Sequence, residues 1–254
     1  RGLPESVRFL ELRGRVEEAE DAVRRFERAA GVDPVPSPLP EPATPPGPRA
    51  LWAPVTRVRT AALWVVWFSI NFAYYGAFIW LPTLLVANGF SLVRSFGFTL
   101  VITLAQLPGY AVAAYLIETW GRRATLATFL AGSALGAGLF AAADGETAVL
   151  VTGMVLSFFN LGAWGALYAV TPEVYPTVLR ATGAGAAAGF GRLASIAAPL
   201  CVPPLLEAGG TGLVFGSFAA FFVLGGLATF WLPERRGRSL EDDAGTPGPV
   251  AAGS

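Results

Sequence analysis

Six apolar runs follow one another along the chain: 61–87, 95–117, 124–143, 148–170, 182–206 and 212–232. A helix needs about 20 predominantly apolar residues to cross about 30 Å of hydrocarbon. Each run is therefore long enough to span a bilayer. In lipid only helices and closed barrels satisfy the backbone. The runs are apolar on every side and lack the ten-residue alternation of a barrel strand, so an all-α membrane protein is expected. The balance of residues agrees: 54% are hydrophobic and 14% charged, against about 25% charged in an ordinary soluble domain.

Several function classes lose their usual tools. The chain has no histidine and a single cysteine, Cys201, which removes the common general base, the commonest metal ligand and any intrachain disulfide. Neither a metal constellation nor a nucleophile elbow is visible, so no enzyme, no catalytic residue, no metal and no cofactor is expected. A formal net charge of zero argues against nucleic acid as a partner.

Charge and composition divide the chain. Residues 1–30 are charged and fit a helix, with Phe9, Leu10, Val16, Val23 and Phe26 as a narrow apolar stripe. Residues 31–59 form a proline-rich linker, 60–232 a six-helix bundle and 233–254 a tail. Arginines alternate between connections. Arg57, Arg59, Arg122, Arg123, Arg180, Arg235, Arg236 and Arg238 fall on one side, whereas the other three connections hold one arginine and three carboxylates. The positive-inside rule places both ends of the segment in the cytoplasm. The chain opens at Arg1 on what reads as a membrane edge, so it is expected to continue upstream.

Four segments, taken in order, resemble the major facilitator superfamily of transporters. PESVRFLELRGRVEEA (4–19) is similar to the motif after the sixth helix, and ETWGRR (118–123) to the loop between helices eight and nine. YAVTPEVYPTVLRATGAG (168–185) is similar to the signature after helix ten, and PERRGRSLE (233–241) to the ending after helix twelve. NFAYYGAFIWLPTLL (71–85) and TLAQLPGY (103–110) look like the branch of niacin and aromatic-acid permeases and synaptic-vesicle-type relatives. Helix seven lacks the glutamines of sugar porters, and Tyr168 stands where those carry tryptophan. The resemblance implies one half, helices seven to twelve, of a twelve-helix major facilitator fold in the inner (plasma) membrane, with the amino-terminal half as a missing partner beside the lipid bilayer.

The same resemblance implies a gating charge network of Glu118, Arg122, Arg123, Glu173 and Arg180, with Thr119 in place of a usual basic residue. Ion pairs that form and break between helices would latch one state of a carrier. A plain positive-inside loop or a rigid turn at Pro172 and Pro176 would place arginines there too.

Arg192 lies ten residues into the fifth run, about 15 Å deep at the helical rise. A charge at that depth faces a cavity or a partner, and no Asp or Glu lies mid-span. A guanidinium suits an organic carboxylate through a bidentate pair; a structural contact between helices is the alternative. Asn71, Tyr74, Tyr75, Trp80, Gln106, Asn160 and Trp164 are polar or amphipathic groups within spans. They either contact a solute or serve as interhelical bonds and belt residues. Gly183, Gly185, Gly189 and Gly191 read as close helix packing rather than a dinucleotide loop, which needs a preceding strand.

The expected function is secondary active transport of a small organic solute, a carboxylate or aromatic acid, by proton-coupled alternating access. A titratable coupling site would lie in the absent half. A sugar substrate, and a non-transporting membrane scaffold or sensor, are the alternatives.

Overall fold

In a computed structural model, residues 5–12, 14–32, 47–87 and 89–234 are described. They belong to two units, Arg1–Gly47 and Pro48–Ser254. Residues 33–46 of the linker and the arginines of the tail lie outside the described residues.

The first unit holds α1 (Val7–Leu12) and α2 (Val16–Ala30). A single helix was expected over 1–30; Gly14 divides it. Its φ of 70° is left-handed, and the amides of Gly14 and Arg15 return to the carbonyls of Glu11 and Leu10 at 3.0 and 2.9 Å. These are the bonds that close a helix on glycine. On α2, Ala19 is buried whereas Phe26 is exposed.

The second unit begins with a 3-10 turn, Pro48–Trp52, and continues with α3 (Arg57–Ala87), α4 (Leu92–Leu104), α5 (Gln106–Thr119), α6 (Arg122–Ala141), α7 (Glu146–Glu173) and α8 (Thr177–Ala228). A last 3-10 turn covers Thr229–Trp231. Every regular element among the described residues is helical. Five helical runs are long and apolar enough to cross a membrane, and the fifth is two spans joined end to end. At about 1.5 Å per residue, the 52 residues of α8 would overshoot any bilayer. The helix breaks at Gly209 (φ −159°, ψ 21°) and Gly210 (φ 65°, ψ −167°), the second a conformation open essentially to glycine alone. The other four runs and the two arms of α8 thus give the six spans expected.

The second span is interrupted as well. Pro108 has no N–H for the carbonyl of Leu104, and its ring crowds that turn. The amide of Ala105 bonds instead to Ile102 at 3.3 Å, and the chain restarts as α5.

Packing follows the small residues. α3 lies against α8, α6 against α7 and α8, and α5 against α7. Lipid tails are as apolar as leucine, so close backbone approach rather than hydrophobicity selects partners. A Cβ on Gly136 would lie 2.7 Å from the Leu156 Cα, and one on Gly191 2.8 Å from the Asn71 amide nitrogen. Gly183 likewise faces the Tyr175 ring, but Gly185 and Gly189 have nothing within 4 Å. The packing expected of the four glycines thus holds for two of them within this chain. Phe72 of α3 meets Phe218 and Phe221 of α8 at 6.2 and 4.3 Å, while Trp67 turns to α7 and Phe215 meets Phe140 of α6 at 4.1 Å. The α4–α5 run is the least covered: 22% of its most apolar window is buried, against 61% for α3.

Candidate functional site

The polar residues within the spans fall into two settings. At the first, α8 presents Arg192 to α3. The guanidinium Nη1 donates to the Tyr75 hydroxyl at 2.8 Å, and the cation lies 6.0 Å from the centre of the Tyr75 ring, at the outer limit of a cation–π contact. Among the described residues no carboxylate pairs with it, and its side chain is exposed at mid-helix. Tyr74 stands edge-on to Tyr75 at 5.3 Å and to Trp164 of α7 at 5.8 Å. Trp164 stacks on Tyr168 at 5.7 Å. An uncompensated cation therefore borders a wall of aromatic rings, the combination that grips a flat anion by its charge and its faces.

One turn below Tyr75, Asn71 is fully buried. Its amide nitrogen donates to the Trp67 carbonyl at 2.8 Å, and its oxygen accepts from Ser195 at 2.9 Å. Both bonds tie α3 to itself and to α8, so Asn71 holds Tyr75 and Arg192 in register. Ser195, three residues past Arg192, was not anticipated. A hydroxyl one turn from an intramembrane arginine is the signal that could have found it.

The second setting is the α5–α7 seam. Gln106 is buried beside the Tyr74 hydroxyl. Its amide nitrogen, both amide atoms of Asn160, the Ser157 hydroxyl and the Trp164 indole nitrogen are buried without a hydrogen-bond partner. Such groups are rare in native interiors. Trp80 is occupied elsewhere: its indole donates to the Pro199 carbonyl at 3.2 Å, an oxygen that Pro203, four residues on, cannot serve.

At one end of the bundle the charged residues meet. Arg122 opens α6, and its Nε lies 2.8 Å from Glu173 at the end of α7, with Glu118 at 3.7 Å. Arg123 donates to the Leu232 carbonyl at 3.3 Å, and Arg180 to that of Pro172 at 3.0 Å. The structure thus joins Glu118, Arg122 and Glu173 directly, while Arg123 and Arg180 clasp backbone ends. A Cβ on Gly121 would lie 3.0 Å from a carboxylate oxygen of Glu234, which puts that anion against the amino end of α6, where a helix favours negative charge. Glu234 lies in the PERRGRSLE segment but was not among the expected network. Between α7 and α8, burial pushes the Tyr175 phenol up. At the opposite end Arg94 pairs with Glu146, bridging α4 and α7.

Residues 2–243 match the sugar (and other) transporter family. The chain belongs to that family of the major facilitator superfamily. Within the superfamily it is similar to the niacin transporter NiaP of Acinetobacter baylyi, 47% identical over 209 residues, which are 81% of this chain and 48% of that protein. It is 33% identical over 193 residues to a 3-(3-hydroxy-phenyl)propionate transporter of Escherichia coli, 75% of this chain and 47% of the relative. A synaptic vesicle 2-related protein of Xenopus laevis is 28% identical over 268 residues, 95% and 48% of the two. This superfamily member spans about half the length of the curated relatives it matches. The branch expected from residues 71–85 and 103–110 is the one in which these relatives fall.

Proposed function

We propose that the chain forms one six-helix half, helices seven to twelve, of a secondary transporter for a small aromatic carboxylate, working by alternating access in the plasma membrane with both ends of the segment cytoplasmic. The observation that carries this reading is the Arg192–Tyr75 pair at 2.8 Å, exposed at mid-span without a carboxylate. A buried or lipid-facing cation would be costly, and an anionic solute supplies the missing charge. Niacin and 3-(3-hydroxy-phenyl)propionate, the cargoes in the relatives' names, are both aromatic carboxylates and support the same class.

In this reading the solute carboxylate pairs with Arg192 and Tyr75, and its ring lies against Tyr74 and Trp164. Asn71 positions the pair. Gln106 and Asn160, with unmet hydrogen-bonding capacity, take the solute's other polar atoms as α5 and α7 move. The other six-helix half packs on the open face that carries Gly185 and Gly189. No mid-span acid exists in this chain, so a coupling proton is carried by that other half. Glu118, Arg122, Arg123, Glu173 and Arg180 latch one state by charge. Residues 1–30 and 31–59 are the cytoplasmic helical segment and linker between halves, 60–232 the bundle and 233–254 the cytoplasmic tail.

The test is uptake of labelled nicotinate by cells or vesicles carrying the full-length protein, with Arg192→Gln and Arg192→Lys beside it. Loss of a charge-assisted bidentate contact costs about 1.5–3 kcal/mol, roughly 10- to 150-fold in kcat/KM. Arg192→Lys keeps the charge but not the fork and restores only part of the rate. Undiminished nicotinate uptake by Arg192→Gln, or uptake of hexose indifferent to aromatic acids, would overturn the reading.

A further inference from the structure

Beside the charged network, where α3 begins and α8 ends, a groove of about 600 Å³ opens on the outside of the bundle. We infer that it is a binding site for one anionic phospholipid. The groove has a built gradient of polarity. On α3, Arg57, Val58, Ala61 and Val65 share one face and run inward along the span; Leu224 on α8 and Trp231 in the 3-10 turn after it run the opposite way. Arg57 therefore stands at the mouth, the two tryptophans Trp52 and Trp231 at the rim, and only apolar side chains deeper in. That is the order of a phospholipid itself: phosphate, interfacial glycerol, acyl chain. A packing helix from a protein partner would not call for a cation at one end and hydrocarbon at the other. Tryptophan at the rim matches the headgroup level of a bilayer.

The walls are fixed rather than incidental. Leu51, within the first 3-10 turn, is buried. The Thr56 hydroxyl lies 2.9 and 3.0 Å from the carbonyls of Ala50 and Leu51, and the Thr60 hydroxyl donates to Leu51 at 2.9 Å. Trp52 stands edge-on to Trp64 at 5.2 Å, and Trp64 stacks on Phe190 at 4.6 Å. The second wall is held by Arg123, bonded to Leu232 and lying over the Phe230 ring at 5.9 Å. Arg57 is the charged residue that lines the groove, and it has no acidic partner among the described residues. The mouth therefore carries positive charge without compensation, which selects a negative headgroup. Each basic residue near a surface of anionic lipid contributes about 1 kcal/mol of attraction.

The site requires only that α3 and α8 span a membrane, and it is independent of what is transported. It is tested on the full-length protein in vesicles of phosphatidylcholine containing a small mole fraction of either brominated phosphatidylglycerol or brominated phosphatidylcholine, reading tryptophan fluorescence. The expected result is stronger quenching by the brominated phosphatidylglycerol, with the excess lost in the Trp52→Phe/Trp231→Phe double variant. Arg57→Gln, an exposed change that leaves the fold intact, lowers the preference for the anionic lipid about fivefold. Ala61→Phe fills the groove and abolishes the excess while thermal unfolding stays that of wild type. Equal quenching by the two lipids overturns the proposal. So does an excess that persists in Ala61→Phe, or a dimer seen by light scattering that Ala61→Phe dissolves, which would make the groove a contact between copies.

Discussion

Tyr75 and Trp80 stand on the same helix and meet α8 for opposite reasons. Tyr75 offers its hydroxyl to a cation with no carboxylate beside it among the described residues; Trp80 offers its N–H to a carbonyl that a proline has left without a donor. Removing the first hydroxyl should therefore show in transport and removing the second N–H in stability. Tyr75→Phe keeps the ring face and loses one bond to Arg192, so nicotinate KM should rise about three- to tenfold with the melting temperature of the purified protein unchanged. Trp80→Phe leaves the Pro199 oxygen unserved and should lower stability by about 1–3 kcal/mol, read as a lower thermal midpoint in detergent, with KM little altered. Arg192 was legible in the sequence because a charge within an apolar run is conspicuous. Its partner was less so: Tyr74 and Tyr75 are adjacent and equally aromatic, and only the rotation of α3 against α8 decides which hydroxyl reaches the guanidinium. The half-buried bond between Asn71 and Ser195 joins positions 124 apart, and no local pattern carries that pairing.

At the scale of elements, apolar length located every span, and the breaks came from particular residues. Pro108 divides α4 from α5, and Gly209–Gly210 divides the arms of α8. Helices extend beyond the apolar runs, α8 starting at Thr177 rather than 182 and α7 ending at Glu173 rather than 170, because hydropathy marks the hydrocarbon and hydrogen bonding marks the helix. The break at Gly14 was missed because the charge pattern on either side reads through it. Gly210→Ala should cost about 1–3 kcal/mol, since its φ of 65° with ψ of −167° is strained for any side chain. Gly212→Ala, two residues on within the next arm, should stay within about 0.5 kcal/mol. Differential scanning fluorimetry of the two variants side by side decides whether the bend is fixed by that backbone or merely tolerated.

Across the whole molecule, the ion pair of Arg122 and Glu173 joins the start of α6 to the end of α7, and its members are 27% and 21% exposed. Partial exposure keeps its worth near the modest range of surface pairs, about 1 kcal/mol. That suffices to move a two-state equilibrium about fivefold. Glu173→Gln and Arg122→Gln should shift the balance of inward- and outward-facing forms of the full-length protein in the same direction, and the exchanged pair Arg122→Glu/Glu173→Arg should restore it. On the proposed two-half arrangement, spin-label distances between the halves report the populations; an unchanged distribution in Glu173→Gln removes the pair as a latch. The loop charges were readable from sequence as a cluster, but the division of labour was not. Arg123 reaches the Leu232 carbonyl and Arg180 that of Pro172, contacts set by where α8 and α7 terminate.

The break between Gly209 and Gly210 also bears on how such a chain is mapped. Two arms joined end to end by two glycines leave no loop for a protease to cut or an antibody to find. A survey by cleavage sites or inserted epitopes would count five crossings and assign residues 57 and 231 to opposite faces. Arg57 and Trp231 line one groove, so the two ends lie on the same face, and the silent turn is the sixth crossing.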